Sequence, residues 1–139
     1  MTSLLSAIVT WLAINFSLPA DHEHPKVEFV PASQLSNARY AGVDFSRRRK
    51  VVAAYDDASR TMLLPEGWTA RTPAELSILV HEMVHHLQNL AGHRHPCPAA
   101  REKLAYAAQQ KWLGLFGRDL KSEFDINPMT LKLSTSCRW

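Results

Sequence analysis

His81-Glu82-Met83-Val84-His85 lies inside a stretch, residues 72–92, that reads helical from end to end. An α-helix turns once in about 3.6 residues, so the two histidines project from one face, a turn apart, and both imidazoles can reach one metal ion. A glutamate between them stands beside the ion without filling its open position, where it can act as general base toward a metal-bound water. The ends of the stretch are marked. Thr72 is an N-cap residue, Pro73 suits the first helical position, Glu75 completes a capping box, and Gly92 can close the C-terminus. Leu76, Leu79, Val80, Met83, Val84, Leu87 and Leu90 form one apolar stripe, with His81 and His85 roughly opposite it. A helix of this kind buries one side in a core and presents the other beneath a cleft, so it needs protein on both flanks.

The chain has 139 residues, which suits one domain with a single core. Its formal charge of +3 is mild, and much of the excess comes from Arg47-Arg48-Arg49-Lys50. No aromatic residues interleave with that run as stacking platforms, so it reads as a solvated loop or hairpin flank, and no nucleic-acid partner is expected. Residues 4–16, LLSAIVTWLAINF, are apolar and lead through Ser17-Leu18-Pro19-Ala20 into Asp21-His22-Glu23-His24. This looks like a secretory signal peptide over residues 1–20, followed by a metal-binding domain over 21–139. The run is short of the roughly 20 apolar residues a membrane span needs. Export to a periplasmic or extracellular compartment is expected, without stable membrane association after leader removal. No Lys or Arg precedes the apolar run and Leu18 is large for its place before the cut, so an uncleaved anchor or a core helix stays open. Cys97 and Cys137 are the two cysteines, and in an exported chain they are expected to form one disulfide that ties the segment after the histidine helix to the C-terminal tail.

Short strands are expected at residues 26–30, 50–55 and 61–64, the last two joined as a hairpin by the turn-rich residues 56–60. Residues 31–40 suit a short helix or turn. Pro98 opens a second long helix that runs to about residue 116 and ends at Gly117, with Glu102, Tyr106, Gln109 and Leu113 on one face. Residues 130–135 tend toward β-structure.

A catalytic zinc takes three protein ligands and keeps one position open, so two histidines leave a vacancy. Glu102 on the second helix is the expected third ligand, and small Ala105, one turn on, would let the two helices approach. His93 and His95 in the intervening loop compete for the role, while His86 points off the ligand face. The order resembles the gluzincin branch of the zinc metallopeptidases, where a His-Glu-x-x-His helix is followed by a second helix carrying a glutamate ligand, often as Glu-x-x-Ala, here Glu102-Lys103-Leu104-Ala105. The chain is also similar to small bacterial proteins of zincin type. The resemblance spans residues 61–113. It implies an α+β, minimal zincin-like fold, with a short sheet packed on the active-site helix and a second ligand-bearing helix. It also implies Zn2+ on His81, His85 and Glu102, with Glu82 as base. Where the family often has an aspartate after the alanine, this chain has Tyr106, which becomes the expected oxyanion donor, with Tyr55 behind it. The metzincin pattern would need Gly at Gln88 and His at Ala91.

The reaction expected from this is hydrolysis of peptide bonds in a peptide or protein substrate, by a zinc-activated water. The alternative is a zinc-stabilised binding module without peptidase activity. Residues 61–64 are expected to form a sheet edge on which an extended peptide pairs, with Met62, Leu64 and Trp68 shaping a preference for apolar side chains.

Overall fold

Three strands and six helices occupy the described residues, 1–39 and 53–137, of the computed structural model. In chain order they are α1 (Thr2–Phe16), β1 (Lys26–Val30), α2 (Ala32–Arg39), β2 (Ala54–Asp56), β3 (Thr61–Pro65), α3 (Pro73–Leu90), α4 (Pro98–Gly114), α5 (Leu120–Phe124) and α6 (Pro128–Ser134). The class is α+β, as expected. The basic run at residues 47–50 and the first residues of the strand expected at 50–55 lie outside the described residues.

The sheet order is β1-β3-β2. β2 and β3 form the expected antiparallel hairpin, with Ala54 opposite Leu63 and Asp56 opposite Thr61. β1 runs parallel to β3 on its other side, from Lys26 opposite Thr61 to Val30 opposite Pro65. This corrects the expectation that residues 61–64 form a sheet edge. Both sides of β3 are paired, so its backbone groups are committed within the sheet, and Met62 and Leu64 are fully buried. The parallel partner comes from a distant part of the chain, and strand order is not written into local pattern.

α3 begins as its caps dictate. Thr72 Oγ1 accepts from Glu75 N at 3.1 Å and Pro73 takes the first turn. The Glu75 carboxylate does not turn back to the cap backbone. It accepts from Thr69 N at 2.8 Å and Arg71 N at 3.3 Å, which pins the loop that enters the helix. At the far end Gly92 takes φ 68°, a left-handed value that costs glycine little, and His93 N donates to Gln88 O at 3.0 Å.

Every residue of α3 from 77 to 88 is buried. Leu79, Val80, Met83, Val84 and Leu87 meet Met62 and Leu64 of β3, Ala105 and Ala108 of α4, and Leu5, Ile8, Val9 and Leu12 of α1 in one cluster. The stretch read as a leader is thus helical and lies on this core, with Trp11 edge-on to Trp112 at 5.2 Å between ring centroids. Among the described residues no helix is long and apolar enough to cross a membrane.

The β-tending residues 130–135 fall instead in α6 and its C-terminal cap. Asn127 Oδ1 accepts from Thr130 N at 2.8 Å and Pro128 supplies a helical first residue, so a local start signal outweighs side-chain β preference. Cys97 and Cys137 are joined, and the bridge holds the tail to the start of α4.

Candidate metal centre

α3 and α4 pack along each other, and Ala105 and Ala108 are fully buried where the helices meet. This packing brings His81 and His85 of α3 to Glu102 of α4, with one ligand atom from each lying within 4.8 Å of the others. His81 Nε2 is 3.4 Å from Glu102 Oε1, and His85 Nε2 contacts Glu102 Oε2.

The donor set suits a divalent cation. Burial pushes the Glu102 carboxyl up, but His85 and His81 together outweigh it and hold the group well below its ordinary value, so it stands as a carboxylate. A carboxylate with two imidazoles is a nitrogen and oxygen set of the kind zinc takes. The expected trio is therefore brought together, and His93 and His95 are not part of it. Those two line a cavity of about 530 Å³ beside the centre, together with Gln88, Asn89, Arg101 and Asp57. Burial, then the positive charges of Arg101, His93 and His85, lower the His95 pKa.

Glu82 sits on α3 only 2 % exposed, its Oε2 4.0 Å from His81 Nε2 and outside the converging trio. Tyr106, one turn after Glu102, packs its ring against the His81 imidazole at 4.6 Å between centroids. Tyr55 is placed elsewhere. Its hydroxyl donates to His86 Nδ1 at 2.8 Å and accepts from Asn89 Nδ2 at 3.0 Å, and burial raises its pKa. His86 in turn donates through Nε2 to the Glu23 carbonyl at 2.7 Å and is 1 % exposed, so it is a buried tie between α3, β2 and the segment after α1. Burial lowers its pKa, with the Glu23 carbonyl opposing.

Sequence reasoning did not single out Gln88 and Gln109 as parts of the site. Gln109 Oε1 lies 2.8 Å from His81 Nδ1, and Gln88 Oε1 lies 3.0 Å from His85 Nδ1. The signal was present, since Gln88 follows His85 by one turn and Gln109 shares a face with Glu102 and Tyr106. Arg101 was missed as well, and nothing in its local pattern marks it.

Fold and site together define an α+β domain with a two-histidine, one-glutamate donor set carried on two packed helices. The chain belongs to the family described as Domain of unknown function (DUF6647), whose model matches residues 1–139. No curated protein and no solved structure matches the chain.

Proposed function

We propose that the protein is a zinc-dependent metallopeptidase of gluzincin-like type, exported to an oxidising compartment, with His81, His85 and Glu102 as ligands. The observation that carries the reading is Glu82. A carboxylate 4.0 Å from a ligand imidazole and outside the ligand trio has no use at a purely structural centre, which would draw on a fourth protein ligand. The disulfide supports the compartment, because such bonds persist where thiols are not kept reduced.

Zinc bound here would supply Lewis acidity toward a scissile carbonyl and lower the pKa of a coordinated water. The chain's own groups do the rest. Glu82 removes the proton from the attacking water and returns it to the leaving amine. Tyr106, beside His81, is the group proposed to donate a hydrogen bond to the oxyanion. Tyr55 drops out of that role, because its hydroxyl is held by His86 and Asn89.

A zinc-stabilised binding module is the second reading, and burial favours it. His81, Glu82 and His85 are 3 %, 2 % and 6 % exposed, so little of the centre meets solvent. One experiment separates the two. Metal content and digestion of a diverse peptide library are measured for the wild type and Glu82→Gln. The peptidase reading expects both proteins to hold one zinc and the variant to lose cleavage by several orders of magnitude. Equal cleavage by both removes Glu82 as base, and zinc without cleavage in either supports the binding module.

A further inference from the structure

Two carboxamides stand behind the two ligand imidazoles, and the hydrogen-bond chains that hold them allow only one proton order. Ala74 O can only accept, so Ser77 Oγ–H donates to it, at 2.7 Å. With its hydrogen so used, Ser77 Oγ accepts from Gln109 Nε2 at 3.2 Å. That turns Gln109 Oε1 toward His81 Nδ1, 2.8 Å away, and an oxygen there requires an N–H on the imidazole. The second chain reads the same way. Arg101 O can only accept, so Gln88 Nε2 donates to it at 3.3 Å, and Gln88 Oε1 then meets His85 Nδ1 at 3.0 Å. Each chain ends on a backbone carbonyl that cannot reverse. Both imidazoles therefore carry a proton on Nδ1, which leaves Nε2, the nitrogen beside Glu102, as the ring atom that can bind a metal.

We infer that Gln109 and Gln88 are positioning residues for the metal centre, each fixing the tautomer and ring direction of one ligand histidine; the inference rests on the metal-binding reading of that centre. Gln88 and Gln109 are 2 % and 4 % exposed, so water does not compete for these bonds. A carboxamide is suited to such a place. It accepts the Nδ1–H bond as a carboxylate would, but it brings no further negative charge into a buried site that already holds the carboxylates of Glu82 and Glu102. The two chains also differ in what they join. Gln88 links His85 to the α4 backbone one residue before Glu102, while Gln109 links His81 on α3 to its own first turn by way of α4.

The test is zinc affinity of the metal-free full-length chain, measured with a competing chelator, together with the visible spectrum of the Co2+-loaded protein. Gln109→Leu is expected to weaken zinc binding about 10- to 100-fold and alter the Co2+ bands. Ser77→Ala leaves the His81–Gln109 contact but removes its anchor, so it should show a smaller loss in the same direction, and it decides the matter if Gln109→Leu does not fold. Wild-type affinity and unaltered Co2+ bands in Gln109→Leu overturn the positioning role while leaving the metal centre standing. A wild-type chain that binds neither Zn2+ nor Co2+ overturns the metal centre and the positioning role with it.

Discussion

Arg101 donates through both terminal nitrogens to the two carboxylate oxygens of Asp57, at 2.7 and 2.6 Å, and one of those nitrogens also donates to the His85 carbonyl at 3.1 Å. One side chain thus ties the β2–β3 turn and the ligand-bearing turn of α3 to the start of α4, next to Glu102. The Arg101–Asp57 pair is partly exposed, at 24 % and 48 %, so solvent screens it and the pair alone contributes about 0.5 kcal/mol. Asp57→Ala should therefore cost little in urea unfolding. Arg101→Leu also strips a donor from the His85 carbonyl and should cost about 1–3 kcal/mol. Equal costs for the two variants would show that the carbonyl contact contributes nothing.

The proposed ligand set predicts which single changes remove the metal. Glu102→Ala should lose zinc, because it takes away the only carboxylate of the converging trio, whereas His93→Ala and His95→Ala, whose rings line the neighbouring cavity, should keep it. Zinc content after gel filtration checks this. Full occupancy in Glu102→Ala with loss in either histidine variant would move the third ligand into the loop.

Deleting residues 1–20 removes Leu5, Ile8, Val9 and Leu12 from the face they share with α3. Burial of an aliphatic side chain contributes about 1.5–3 kcal/mol, so the loss should amount to several kcal/mol and a large fall in the thermal midpoint, measured by circular dichroism. An unchanged midpoint would mark α1 as a leader that the remaining domain folds without.

Glu75 gives the stability a defined dependence on acid. The Thr69 amide, then burial in the opposite sense, then the Thr69 hydroxyl, Arg71 amide and Thr72 hydroxyl act on its carboxyl, and the net effect lowers its pKa from 4.5. A group whose folded pKa is depressed stabilises the fold fully above the unfolded value, and that contribution is lost as pH falls through the folded value. The stability gap between wild type and Glu75→Gln should thus be widest above pH 4.5 and close as the solution is acidified below it. Denaturant unfolding at a series of pH values checks the sign, and a gap that widens in acid would contradict it.

Much of the site could be read from local pattern, because its information is local. Thr72, Pro73 and Gly92 bound α3, the spacing of His81 and His85 follows from helix pitch, and Pro98 opens α4 with Glu102 and Gln109 on one face. Asn127 and Pro128 carried an equally local signal for α6, set against the β tendency of the residues that follow.

What the chain alone determined, then, was which residues share a helix face and where each helix starts and stops, since backbone hydrogen bonding and capping act within a few residues. Tertiary structure decided the rest. That β3 is flanked by β1 as well as β2, that α1 packs on the same core as α3, and that Arg101 reaches Asp57 depend on contacts between segments far apart in sequence. Such contacts form because apolar area leaves water wherever the packed shapes allow it, and the direction in which two faces meet is set by all the elements at once rather than by either stretch alone.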